Sequence, residues 1–309
     1  MSAPQHFTFL ESTRWQDYAL LDSGDGLKLE RFGKYVFVRP ESQAMWKPSL
    51  DAEWKNAHAV FVPTGEESGG HWDFRKKVEE KWEMKYILDP SQVERGELKF
   101  WVMTTPGRHL GVFPEVAAHW DWFSRLIHHK GREEHKEVNV LNLFGYTGLA
   151  TLAAAAAGAR VTHVDASKKS VSWARENQAL SKLAEKPIRW IVDDASKFVQ
   201  REARRGVKYD GIILDPPKFG RGPKGEVWEV YKSLPTLLEA CRECLSNDPL
   251  FVVTTIYAVR ASGVHMAQTM DDMMEGCGGK IERGELVTRE QSAGRLLSQA
   301  VYARWERKA

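Results

Sequence analysis

The sequence predicts a doubly wound α/β domain with a small, mostly β unit ahead of it. Two observations carry this. From Val138 onward, short apolar runs alternate with helical stretches, and the runs read as buried on both faces, as strands of a parallel sheet covered by helices must be. Up to about Thr105, short alternating runs are separated by Gly, Pro and Asp turns. The expected units are residues 1–105 and 106–309.

In the first unit, Leu27 to Arg31, Tyr35 to Arg39 and Leu98 to Met103 read as strands. The unit carries Trp15, Trp46, Trp54, Trp72, Trp82 and Trp101 of the chain's 12 tryptophans. Such a density can stack bases, but apolar bulk for a small core is the expected use. Glu115 to His129 has helical apolar spacing (Val116, Trp120, Phe123, Leu126, Ile127) and leads into a polar link, Lys130 to Glu137.

The second unit then alternates. Val138 to Leu143, Arg160 to Val164, Ile188 to Val192, Tyr209 to Leu214 and Leu250 to Ile256 read as strands. Gly148 to Ala157, Ser167 to Ser181, Ser196 to Arg205 and Trp228 to Ser246 read as helices. Lys280 to Val287 and Leu296 to Trp305 are joined by too short a segment for a crossover helix, which predicts an antiparallel hairpin at one sheet edge.

Bulk properties exclude several classes. With 42% apolar and 28% charged residues the chain has material for a core, against disorder or fibre. Lys+Arg 44 against Asp+Glu 42 leaves a net +2, which decides nothing about a polyanionic partner. Three cysteines cannot build a disulfide framework, and no secretory leader pattern opens the chain, so a cytoplasmic setting is expected. The alanine-rich stretch Thr151 to Ala159 is far too short to span a bilayer.

Chemistry concentrates at the predicted strand ends. Val140 to Leu143 runs into Phe144-Gly145-Tyr146-Thr147-Gly148, a glycine turn that lets a ligand approach backbone closely. About 20 residues on, Asp165 ends the next strand, where two ribose hydroxyls could donate to it. At the strand after that, Asp194-Ala195 would set a carboxylate and an amide beside an adenine ring, although an Asp there also serves as a helix N-cap. The turn lacks the G-x-G-x-x-G pattern that cradles a pyrophosphate, which argues against a nicotinamide dinucleotide.

The deciding stretch is Ile212-Ile213-Leu214 followed by Asp215-Pro216-Pro217-Lys218-Phe219. The prolines fix the loop and leave neighbouring carbonyls free to point inward. Asp215 and those carbonyls can accept from a planar N–H-bearing group, and Phe219 can stack on its ring. Transfer of a methyl from a sulfonium needs orientation and desolvation more than a strong base.

On these stretches, with Leu20-Leu21-Asp22-Ser23-Gly24, Lys28 to Gly33 and Gly111-Val112-Phe113-Pro114-Glu115, the sequence resembles the class I S-adenosylmethionine-dependent methyltransferases. Within them it resembles the bacterial large-subunit ribosomal RNA methyltransferase I-like family. The resemblance implies a seven-stranded Rossmann-like sheet. It implies that Phe113, Asn142, Phe144 to Gly148 and Asp215 line S-adenosylmethionine, Asp165-Ala166 the ribose and Asp194-Ala195 the adenine amine. Asp215, Pro216, Pro217, Lys218 and Phe219 would form the methyl-transfer site.

Members modify cytosine C5 or guanine nitrogens in RNA, and C5 chemistry needs a cysteine thiolate. None follows Pro217, and Ile256-Tyr257-Ala258 follows the next strand, so a purine nitrogen is favoured. Cys241 and Cys244 read as buried helix residues. Lys218, Arg221 and Lys224 form a basic, glycine-containing flap expected to be mobile and to contact RNA, with Lys130, Arg132 and Lys136 adding to it. The ten histidines show no metal-ligand spacing. A protein side chain or small molecule as acceptor, and a non-catalytic binding protein, remain the alternatives.

Overall fold

The computed structural model describes residues 7–64, 69–89, 93, 96–133, 136–257 and 261–308, with backbone alone at 132 and 133. The Arg132 side chain, Ala258 and part of the predicted polar link lie outside the described residues.

The chain opens with β1 (Phe7–Glu11), β2 (Tyr18–Gly24), β3 (Leu27–Phe32), β4 (Tyr35–Pro40), α1 (Asp51–Lys55), β5 (Ala59–Pro63), β6 (Gly70–Phe74), β7 (Trp82–Ile87) and β8 (Glu97–Val102). It continues through α2 (Ala117–Glu133), β9 (Asn139–Leu143), α3 (Leu149–Ala156), β10 (Arg160–Asp165), α4 (Lys168–Leu180), β11 (Ile188–Val192), α5 (Ala195–Arg204) and β12 (Gly211–Leu214). The last elements are β13 (Phe219–Arg221), β14 (Val227–Glu229), α6 (Val230–Glu243), β15 (Phe251–Tyr257), α7 (Gly263–Met273), β16 (Lys280–Arg289) and β17 (Leu296–Glu306).

The main sheet has eight strands, in the order β1-β16-β17-β15-β12-β9-β10-β11. The expected seven strands are there, and the eighth is β1, which pairs parallel with β16. The C-terminal hairpin is therefore not at the edge: β17 runs antiparallel to β15, and β1 covers β16. Sequence pattern missed β1 because its partner lies some 270 residues away in the chain and nothing local marks the pairing.

Strand order reverses beside β9, which has β10 on one side and β12 on the other. Chains leaving two such strands diverge and open a crevice at their carboxyl ends. The predicted glycine turn and the Asp215 stretch both emerge at that crevice.

The β unit holds a five-stranded sheet, β2-β3-β4-β5-β6, and the hairpin β7-β8. The tight β2–β3 turn needs positive φ at Asp25 and Gly26, 51° and 76°. Core packing continues across residue 105: one buried cluster runs from Tyr18, Phe32 and Trp82 through Phe100 to Trp120, Leu149 and Val161. Trp15, Trp72 and Trp82 belong to that packing, while Trp46 and Trp54 pack in smaller clusters. Trp82 is buried and donates to the Phe32 carbonyl, Trp72 to the Thr105 carbonyl and Trp54 to Asp22.

The Asp22-Ser23 stretch joins the two ends of the chain. Asp22 accepts from the amides of Ser49 and Leu50, the Trp54 indole and the Ser292 hydroxyl. Ser23 donates to Glu290. These residues lock the β unit onto the β16–β17 connection.

Candidate active site

The turn after β9 differs from the expectation in one respect. Positive φ falls at Phe144 (58°) and Tyr146 (48°), on either side of Gly145. Glycine is required at 145 for another reason: a Cβ there would lie 2.4 Å from the His163 ring. Gly148, at φ 83°, caps α3 in the left-handed conformation. Non-glycine residues held at positive φ mark a turn whose surroundings dictate its shape.

Those surroundings are visible. The Tyr146 amide donates to Asp165 Oδ2 at 2.9 Å and the Ser167 amide to Oδ1 at 2.8 Å, so the carboxylate that ends β10 is clamped beside the turn. Burial raises the Asp165 pKa, and these two amides work against the rise. Ala166 follows it at the half-buried start of the next turn. Thr147 donates to the Gly111 carbonyl at 2.7 Å, which ties the turn to the segment carrying Phe113. The rings of Phe113 and Tyr146 meet edge on at 5.8 Å.

Asn142 lies inside β9 and donates to the Thr151 hydroxyl at 2.9 Å, and Thr151 also meets His163 Nδ1. Burial holds His163 down at about 3, so the ring stays neutral and serves as packing. Asp194 is the N-cap of α5, accepting from the Lys197 amide at 2.9 Å, with Ala195 buried as the first helical residue. Its neighbour Asp193, which the sequence reading passed over, pairs with Arg201.

Asp215 follows β12 at the crevice. Its Oδ1 is shielded and has no hydrogen-bond partner. Burial, with the charge of Glu115 adding to it, pushes its carboxyl up to about 8. Asn142, Phe144 to Thr147 and Asp215 line one cavity of about 60 Å³ with Val112 and Phe113.

The loop after Asp215 corrects one expectation and gives the segment beyond it a shape. The Pro217 carbonyl does not face the site; it accepts the Trp228 indole N–H at 2.7 Å. Phe219 is 54% exposed. The segment expected as a mobile flap forms an antiparallel hairpin, β13–β14, with Phe219 opposite Glu229 and Arg221 opposite Val227. Glu226 closes its turn, accepting from the Lys224 amide at 2.8 Å and from Lys197 at 2.6 Å. Trp228, on the inner face, packs against Phe144 with centroids 4.8 Å apart.

The basic residues also separate. Lys218, Arg221 and Lys224 are exposed at the crevice end. Lys130 pairs with Asp248 at 2.7 Å and Lys136 approaches Asp210 at 3.9 Å, at the opposite end of the sheet. Helix α2 runs back along the sheet before β9 begins, so its end cannot reach the strand tips.

Cys241 and Cys244 are buried in and at the end of α6, and burial raises both thiols, Cys244 to about 11. Cys277 contacts Arg242. Among the described residues, no group of three or more His, Cys, Asp or Glu side chains could hold a metal ion. Nor, among the described residues, is any helix long and apolar enough to cross a membrane.

An eight-stranded sheet with a reversed strand beside its switch point, a clamped acid after its second parallel strand and an unpartnered acid after its fourth define a class I methyltransferase. The chain belongs to the S-adenosylmethionine-dependent methyltransferases. The crystal structure of such an enzyme from Agrobacterium tumefaciens is 47% identical, with a TM-score of 0.89 over 97% of this chain and 94% of that one.

A putative enzyme of this kind from Streptococcus mutans, 17% identical, shares the fold at a TM-score of 0.67 over 94% of this chain and 76% of that one. Residues 122–235 match the family described as conserved hypothetical protein 95. A curated relative from Hahella chejuensis, named ribosomal RNA large subunit methyltransferase K/L, is 30% identical over 61% of this chain. The chain spans only 26% of that relative's length.

Proposed function

We propose that this chain methylates a base nitrogen in ribosomal RNA, a purine nitrogen rather than cytosine C5. The observation that carries the nitrogen is the unpartnered, shielded Oδ1 of Asp215 at the end of β12. A buried acceptor without a donor costs ~1–3 kcal/mol, and an N–H of the incoming acceptor would satisfy it. The three cysteines support the same reading: two are buried in the α6 region and the third contacts Arg242, so none is placed for addition to a pyrimidine ring.

S-adenosylmethionine, when bound, supplies an electrophilic methyl on a sulfonium. In this reading Phe113, Asn142 and Phe144 to Gly148 form the wall against which it lies. Asp165 and Ala166 hold its ribose, the two clamping amides leaving lone pairs on each Asp165 oxygen for hydroxyl donors. Asp194 and Ala195 lie by its adenine. Pro216 and Pro217 stiffen the loop that aims Asp215, and the Trp228 bond fixes that loop from behind. Asp215 accepts the acceptor's N–H and then its proton, which suits a carboxyl titrating near 8.

RNA is favoured by the exposed outer face of the β13–β14 hairpin, where Phe219 and Arg221 stand with Lys218 and Lys224 nearby. Exposed aromatics among cations suit stacking on bases beside phosphates. The relative from Hahella chejuensis, by its name, acts on ribosomal RNA.

The test compares ribosomal RNA from cells with and without the protein, and from cells carrying Asp215→Ala. One methyl mark should vanish in the last two. An identical modification profile in all three would overturn the reading.

A further inference from the structure

Beside the catalytic crevice lies a second, larger cavity of about 330 Å³. Half of its wall comes from the β unit, with Lys28, Arg39 and Glu41, and half from the catalytic side, with Phe113, Glu115 and Tyr257. It shares Val112 and Phe113 with the cavity that Asp215 lines. Its size is that of a small-ligand site.

Tyr257 ends β15, the direct neighbour of the strand that Asp215 follows. Its ring lies 5.1 Å from that of Phe113. Its hydroxyl is shielded and lies beside the Glu115 carboxyl. Burial and then the charges of Glu115 and Asp215 raise its pKa well above the ordinary value, so the hydroxyl remains a donor. Glu115 is 5% exposed, and burial raises its pKa too. A tyrosine hydroxyl beside a buried carboxyl on one strand tip and an orphaned carboxyl oxygen on the next form an incomplete set of hydrogen-bonding groups.

The two buried cations of the cavity are already engaged. Lys28 lies 3.3 Å from Glu41 and donates to Gln299 at 2.7 Å. Arg39 is held by both oxygens of Glu30. Burial, with Arg39 and Arg108 adding, keeps His109 neutral, down at about 3. Lys28 and Arg39 thus each have a carboxylate and Arg108 is exposed to solvent, while Glu115 lines this cavity and Asp215 the adjoining one. With two carboxyls at or beside the space, a group presenting N–H donors would be held there.

We infer that this cavity is the acceptor pocket, and that Tyr257 and Glu115 read the acceptor. The ligand is a planar nitrogen heterocycle with an N–H donor beside a carbonyl or ring-nitrogen acceptor. Tyr257 donates to the acceptor atom, Glu115 takes a neighbouring N–H, and Asp215 takes the N–H at the nitrogen to be methylated. The inference rests on the base-methylation reading and names its recognition residues.

The test is nucleoside binding to the full chain saturated with S-adenosylhomocysteine, followed by saturation-transfer NMR with the four ribonucleosides and with N-acetyl-lysine amide. At least one nucleoside should bind. Tyr257→Phe and Glu115→Gln should each weaken it tenfold or more while leaving S-adenosylhomocysteine affinity within twofold. Absence of nucleoside binding, binding of the lysine probe alone, or nucleoside affinity unmoved in both variants would overturn the inference. Ribosomal RNA methylation is measured alongside. Methylation with nucleoside affinity unmoved in both variants sinks the pocket and leaves the RNA reading standing, and the converse pattern sinks only the RNA reading.

Discussion

At Asp215 the fold holds a carboxyl that would ionise near 3.8 in an open chain and keeps it neutral up to about 8. An acid whose folded pKa is raised helps the folded state below the unfolded value, and that help is lost as pH climbs through the folded one. Asp215→Asn should therefore match wild-type stability near pH 4 and exceed it at pH 8.5 by ~1–3 kcal/mol, read by thermal unfolding of the cofactor-free protein. The same variant should lose ~100-fold or more in kcat/KM, and the wild-type rise of kcat/KM towards an apparent pKa near 8 should flatten. A stability profile parallel to wild type at all pH values would contradict the assignment. Gly145→Ala forces a Cβ into the His163 ring and should cost ~1–3 kcal/mol in unfolding free energy. That requirement was invisible in the sequence, where the glycine reads as freedom of φ; only the ring beneath it shows that the constraint is space.

Among elements, the β13–β14 hairpin departs most from the sequence expectation. Glycines at 220, 222 and 225 read as a loose flap, but the inner-face Trp228 packs on Phe144 and donates to Pro217, so the ribbon is anchored from below. Trp228→Phe should cost ~1 kcal/mol of stability and lower kcat while cofactor affinity, followed by calorimetry, stays the same. A drop in cofactor affinity equal to the drop in kcat would show that the hairpin shapes the cofactor wall instead. Parallel strands and their helices were legible because each is buried on both faces and therefore continuous in apolar character. β1, β2, β5 to β7, the two short hairpin strands, α1 and α7 were not singled out. Their pairing partners or packing surfaces are distant or short, and local pattern carries little of either.

Across the whole molecule, Asp22 joins the β unit to the C-terminal connection through four donors, and a change there is felt by both. Asp22→Ala should lower stability by ~2–4 kcal/mol and weaken acceptor binding more than cofactor binding, because the acceptor cavity straddles the two parts. Unchanged acceptor affinity in that variant would separate the cavity from the junction. If the hairpin's outer face meets RNA, Arg221→Ala with Lys224→Ala should reduce the slope of log affinity against log salt by ~1.4, at ~0.7 for each lost single-strand phosphate contact. The chain's nearly balanced net charge hides this face, since clustering and not the total decides it. By itself the sequence determined the alternating α/β core, the acids after β10 and β12, the cofactor class and the absence of a placed cysteine, because strand burial and turn chemistry are local properties. The tertiary structure alone decided that residues 7–11 complete the catalytic sheet, that Lys130 and Lys136 lie away from the site, and that Glu115 and Tyr257 meet beside Asp215. Those three facts depend on which ends of the chain come together, and no short-range pattern encodes that.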